Sequence, residues 1–165
     1  MASVNDEIRT ALSQALVNGD ADTAAEITRK ALEAGALPLD LIQLVIVPTL
    51  TKVGQDFQEF VKNVAMQIAA ANPLGVTKED VPQDVVERER AIYLAQAQES
   101  GKPANILEKM VDGKLRKFFQ EVVLLEQTYV KDPDKTIQDY LNELLAKTGE
   151  KIIIKRFVRF QLGGE

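Results

Sequence analysis

The sequence predicts a predominantly α-helical protein of the α+β class: an N-terminal helical bundle joined through a long shared helix to a second helical part that ends in a β-strand. Two stretches carry this expectation. Across residues 49–71, apolar side chains recur at Leu50, Val53, Phe57, Phe60, Val61, Val64 and Ile68, the spacing of an amphipathic helix. Residues 151–162, KIIIKRFVRFQL, are rich in β-branched and aromatic side chains and predict a strand.

The helix follows Pro48 and runs into Asn72-Pro73, where Pro73 disfavours the helical conformation at Asn72. About twenty residues at about 1.5 Å each make a rod of roughly 30 Å. Gly54 lies inside it and costs about 1 kcal/mol relative to Ala. Burying several large side chains returns roughly 1.5–3 kcal/mol each, so the rod is expected to be continuous. Phe57 reads as one of its core residues.

Ahead of the rod, Val4, Ile8, Ala11, Leu12, Ala15 and Leu16 form a first helical stripe, with Ser3 as candidate N-cap. Asn18-Gly19 ends it. Asp20 or Asp22 caps a second helix carrying Ala24, Ile27, Ala31 and Leu32, which stops at Gly35. Pro38 suits the first turn of a third helix bearing Leu41, Ile42 and Val45. Pro48 is either a kink in one long helix or a break between two.

Beyond the rod, Thr77 can cap a short acidic turn through Asp80, and a helix follows over residues 83–98. Residues 100–103 break the chain. A further helix starts at Ile106, Leu107, Met110 and Val111, is interrupted at Gly113, and resumes through Phe118, Phe119 and Val122. Residues 124–130 fit an extended segment or a helix end. Residues 131–134 read as a turn, with Asp134 capping a last helix through Leu144 and Leu145 to Gly149. In the tail, Ile152, Ile154, Arg156, Val158 and Phe160 share one strand face, and Ile153, Lys155, Phe157, Arg159 and Gln161 the other.

The chain has 165 residues, 45% of them apolar, and a formal net charge of −5. That charge gives no reason to expect nucleic acid as a partner. No apolar run approaches the roughly 20 residues of a membrane span, and no signal segment opens the chain, so a cytoplasmic protein is expected. Cys and His are both absent. Disulfides, thiolate chemistry, a Ser-His-Asp site and His-ligated zinc or cobalt are therefore excluded within this chain. No phosphate loop, dinucleotide motif or EF-hand spacing occurs. No catalytic, cofactor or metal residues are assigned, and the chain is not expected to be an enzyme.

The N-terminal stretch, to about residue 57, contains Gly19-Asp20, KALEAG at 30–35, Pro38-Leu39-Asp40, and Val47, Pro48, Val53, Gly54 and Phe57. This punctuation resembles the helical cap of cobalamin-binding corrinoid proteins and methyltransferases. In that family the cap only covers the corrin, and a following α/β domain with an Asp-x-His-x-x-Gly motif grips it. That domain and its His are lacking here, so the resemblance implies an inherited helical bundle and no cofactor.

From residue 57 to residue 163, the blocks VAMQIAAANP, EDVPQDVVERER, SGKPANILEKMVDGKLRKFFQEVVLLEQTYVKDPDKT and IKRFVRFQLG closely resemble the C-terminal part of bacterial elongation factor Ts. That family catalyses nucleotide exchange on elongation factor Tu through a Thr-Asp-Phe-Val turn ahead of the helix that here begins near Phe57. At that place this chain reads Val53-Gly54-Gln55-Asp56-Phe57-Gln58, without the Thr and Val. The resemblance thus implies at most weak residual binding to elongation factor Tu and no efficient exchange.

The two resemblances meet inside one helix, dividing the chain into residues 1–57 and 58–165 with the helix of 49–71 shared. Apolar phase is kept across the join, where a natural fusion more often has an exposed linker. The leading expectation is therefore an engineered chimeric scaffold without catalytic activity. The alternative is a natural or truncated elongation factor Ts-like module that binds elongation factor Tu with impaired exchange; a third is a cobalamin-protein cap fragment. An isolated strand needs a partner, so the tail is expected to pair either with residues 124–130 or with a second copy in a homodimer. Ile154, Arg156, Phe157, Val158 and Phe160 are the candidate interface residues.

Overall fold

A computed structural model describes residues 4–99, 103–161 and 163; the side chains of 104 and 105 lie outside the description. The chain forms two units, Met1–Lys62 with Leu141–Ile152, and Asn63–Tyr140 with Ile153–Glu165.

In the first unit, α1 (Asp6–Val17) and α2 (Ala21–Glu33) precede α3 (Pro38–Leu41), a π-helical turn (Ile42–Ile46) and the beginning of α4 (Val47–Ala71). The α1 cap is Asn5, whose side-chain oxygen accepts from the Ile8 N–H at 2.8 Å; Ser3 lies outside the described residues. Of the two candidates for α2, Asp20 is the cap and accepts from the Thr23 N–H at 3.0 Å. Gly19 and Gly35 take φ of 68° and 93° just past the two helices, a conformation nearly free of strain only for glycine. Leu12, Ala31, Leu41 and Val45 are buried together, with Ile8, Leu16, Ala24 and Ile27 packed around them.

Pro48 neither breaks nor ends the helix. The preceding turn widens instead: the Val47 N–H reaches back five residues to the Ile42 carbonyl. Proline has no N–H and its ring crowds the carbonyl four residues back, and a π turn relieves both conflicts. From there α4 is continuous to Ala71, through Gly54, as the apolar phase predicts. Asn72 leaves the helix with φ 47° ahead of Pro73.

The buried face of α4 differs from the predicted stripe. Phe60, Val64 and Ile68 are buried, but Leu50, Phe57 and Val61 are exposed, Phe57 at 42%. Phe57 is therefore not a core residue. At 3.6 residues per turn the buried face is rotated toward Asn63 and Gln67, two polar residues that are also buried. A stripe drawn through apolar residues alone misses that rotation.

In the second unit, α5 (Gln83–Gln98) and α6 (Ala104–Val122) bury Ala97, Val111 and Leu115 with Tyr93, Met110 and Phe119 against them. The expected interruption at Gly113 is absent, and α6 runs through it. Thr77 and Asp80 form a reciprocal capping box ahead of α5. The ambiguous segment after α6 resolves into a 3-10 turn, Leu124–Glu126, and the short strand β1 (Thr128–Tyr129). Strand β1 pairs antiparallel with β2 (Asp132–Thr136), Tyr129 opposite Asp132. The turn is thus at Val130 and Lys131, not at 131–134, because Asp132 already pairs.

The last helix, α7 (Ile137–Thr148), is capped by Thr136 and Asp139 and not by Asp134, which belongs to β2. The Thr136 N–H donates to an Asp139 carboxylate oxygen at 2.9 Å, and the Asp139 N–H donates to the Thr136 hydroxyl oxygen at 3.1 Å.

The predicted tail strand is corrected by the structure. Residues 151–161 carry no helix and no strand pairing, and residues 128–129, part of the candidate internal partner, are engaged with β2. The α+β class holds, but its sheet among the described residues is the two-stranded β1–β2 pair. β-Propensity supplies side chains suited to a ladder; the ladder itself requires an open neighbouring edge.

Candidate partner surface

A buried amide pair sets the local geometry of the second unit. The Gln67 side-chain nitrogen donates to the Gln127 side-chain oxygen and to the Thr128 carbonyl, both at 3.1 Å. Its oxygen accepts from the Val130 N–H at 2.9 Å. Gln127 in turn donates to the Glu121 carbonyl at 2.7 Å and the Ala71 carbonyl at 3.3 Å. The side chains thereby fasten β1 and the ends of α4 and α6 together. Beside them Tyr129 and Tyr140 stack with ring centroids 4.8 Å apart, and Asn63 donates to the Tyr140 hydroxyl while accepting from the Lys131 ammonium.

The tail candidates do not share one face. Ile154 and Phe157 are half-buried, Arg156 is exposed, and Val158 and Phe160 are 71% and 93% exposed. Half-buried positions are Ile152, Ile154 and Phe157, so the two-residue alternation breaks between Ile154 and Phe157. Arg159 ties the tail locally, donating to the Asn72 side-chain oxygen at 2.8 Å and to that of Gln161 at 3.0 Å. A second apolar surface, unforeseen in the sequence, is the exposed row Val47, Leu50, Phe57 and Val61 on α4. The spacing of Leu50, Phe57 and Val61 carries its signal, but the same spacing places those three in the core stripe; Val47 lies outside that stripe.

The electrostatics are those of helix ends. Hydrogen bonds from Thr23 hold the Asp20 carboxyl below its ordinary range. Those from Thr77 and Thr136 do the same for Asp80 and Asp139. Burial, then the neighbouring Glu89, pushes the Tyr93 phenol up. These shifts belong to caps and packing, and none forms an acid–base pair. Among the described residues, no group of three or more Asp or Glu side chains is placed to hold a metal ion, and no helix is long and apolar enough to cross a membrane.

A family model described as elongation factor TS matches residues 43–164. The chain belongs to the elongation factor Ts family. A second model, described as a B12 binding domain, matches residues 8–72. The chain thus joins two family parts whose matches overlap through α4. Elongation factor Ts of Syntrophobacter fumaroxidans is 61% identical over 93% of this chain and 77% of its own length. That of Carboxydothermus hydrogenoformans is 44% identical over 95% of the chain and 81% of its length. The match to elongation factor Ts of Desulfosudis oleivorans is 64% identical but spans 66% of the chain and 54% of that relative.

Proposed function

We propose that the chain is an elongation factor Ts-type module that binds elongation factor Tu without accelerating release of its nucleotide. The observation that carries the binding is the alignment of a single elongation factor Ts with 93% of the chain. It favours a binding module over an engineered scaffold with no partner, the reading first suggested by the uninterrupted join. In this view residues 1–57 are the cap-like part and 58–165 the factor-like part. The exposed apolar side chains of the tail offer contact area on the second unit and those of α4 offer it separately on the first, and the protein works in the cytoplasm, where translation takes place.

The loss of exchange rests on residues 53–58. They lie inside continuous α4 and lack the Thr and Val of the family's exchange turn. A helix there presents its backbone groups to itself and not to a partner. Corrin chemistry has equally little support, since the chain supplies no imidazole to ligate cobalt.

Calorimetric titration of elongation factor Tu with this protein, paired with stopped-flow release of labelled GDP, tests the proposal. Saturable heat with an unchanged release rate is expected. An absence of heat favours the inert scaffold, and faster release at catalytic amounts of the protein overturns the loss of exchange.

We also propose that the tail pairs between two copies of the chain. Its backbone has no ladder among the described residues, and the internal candidate is partly occupied by β2.

A further inference from the structure

The first unit contains an open depression of about 600 Å³ between α1, the π turn with the start of α4, and Lys147 of α7. We infer that this depression binds a small organic anion with an apolar body. The inference is independent of the elongation factor Tu reading, because Val47, Leu50, Phe57, Val61 and the tail do not line the depression.

The volume lies in the range of roughly 300–1,000 Å³ common to small-molecule sites. Its walls include Val17, Leu44, Pro48 and Val53, and its charged lining is Arg9, Lys52 and Lys147 against a single carboxylate, Asp56. That balance is positive in a chain of net charge −5. Among the described residues neither lysine lies within ion-pair distance of a carboxylate, and Arg9 reaches only Asp6, at 3.9 Å. The cations therefore retain hydrogen-bonding capacity for an anionic group, and charge-assisted bonds of this kind are the stronger ones.

The floor is fixed by the irregular turn that Pro48 imposes. Thr49 donates its hydroxyl proton to the Val45 carbonyl at 2.7 Å. Its oxygen lies 2.8 Å from the Ser13 hydroxyl, so Ser13 must be the donor of that bond. Both protons are then committed within the protein, and Ser13 presents an acceptor. The site thus favours a molecule with an apolar ring or chain, an anionic group for the cations, and a donor N–H or O–H near the hydroxyl pair. π turns inside helices recur at functional positions, and this one forms part of the wall.

Anilinonaphthalene sulfonate carries all three features, and phenylnaphthylamine is its neutral counterpart. Titration of the full chain, followed by amide chemical shifts, is expected to show one sulfonate site, with shifts centred on Ser13, Thr49 and Val53. Added salt is expected to weaken the sulfonate and leave the neutral compound unchanged. The double change Lys52→Glu with Lys147→Glu is expected to weaken sulfonate binding by roughly tenfold or more, the scale of a lost charge-assisted contact. Equal binding of the neutral compound, shifts centred elsewhere, or salt-independent affinity overturns the inference. These three readouts come from the parent protein and stand even if the charge-reversed variant fails to fold.

Discussion

The Gln67 side-chain amide donates to the Gln127 side-chain oxygen at 3.1 Å while its own oxygen accepts from the Val130 N–H. Gln67 is 0% exposed. Replacing it with Leu keeps the bulk but strips Val130 and Gln127 of their partners. At about 1–3 kcal/mol for each buried group left unsatisfied, Gln67→Leu is expected to destabilise the protein by roughly 2–4 kcal/mol. The urea midpoint is expected to fall with the slope unchanged. Adding Gln127→Leu is expected to cost less than the sum of the single changes, because the two amides share one bond. Strict additivity in that cycle refutes the coupling.

Two glycines are expected to respond oppositely to alanine. Gly149 has φ 66°, and a Cβ there comes within 2.8 Å of the Val17 carbonyl oxygen and 2.9 Å of the Asn18 carbonyl carbon. Gly149→Ala is expected to cost more than about 1 kcal/mol from the left-handed conformation alone, with the backbone clash added. Gly54 lies mid-helix, and a Cβ added there would meet nothing within 4 Å, so Gly54→Ala is expected to stabilise by up to about 1 kcal/mol. Thermal midpoints that move in the same direction contradict this account.

Acid sensitivity is expected to reside partly in the helix caps. Asp20, Asp80 and Asp139 are each held below the ordinary carboxylate value by hydrogen bonds. A depressed folded pKa means the native state binds fewer protons than the unfolded chain between the two values. The contribution is therefore fully present above the unfolded pKa, about 3.9 for Asp, and is lost as pH falls through the lower folded value. Asp139→Asn keeps a hydrogen-bond acceptor without a titrating group. Its urea midpoint is expected to depend less on pH below about pH 4 than that of the parent; identical acid limbs exclude the cap as a contributor.

Much of the helical framework was legible in the sequence because caps and stops are local signals. Gly19, Pro38, Asn72-Pro73 and Thr77 each mark an end by their own covalent geometry or side-chain oxygen. The misplaced features depend on distant residues. Phe57 is exposed because the buried face of α4 includes Gln67 and Asn63, whose burial is stabilised by partners about sixty to eighty positions away in sequence. The tail has strand composition without a ladder among the described residues, since pairing is decided by an edge elsewhere. The depression beside Pro48 combines α1, α4 and Lys147, and no local spacing announces that meeting.

The tail provides the last test. Ile153, Val158 and Phe160 are 68%, 71% and 93% exposed, so large apolar side chains and unladdered backbone lie together on one segment. Two copies placed antiparallel across a two-fold axis pair each tail with its equivalent, in register with itself, and bury both sets. At micromolar concentration, light scattering is expected to give twice the 18.3 kDa chain mass. Val158→Pro removes an N–H and fixes φ; if that N–H faces the partner, the dimer is expected to weaken strongly. Phe160→Ser removes apolar area while leaving the backbone able to pair, so it is expected to weaken the dimer less than the proline does. A monomer mass for the parent protein across the accessible concentration range refutes self-pairing and leaves the tail as a surface for elongation factor Tu alone.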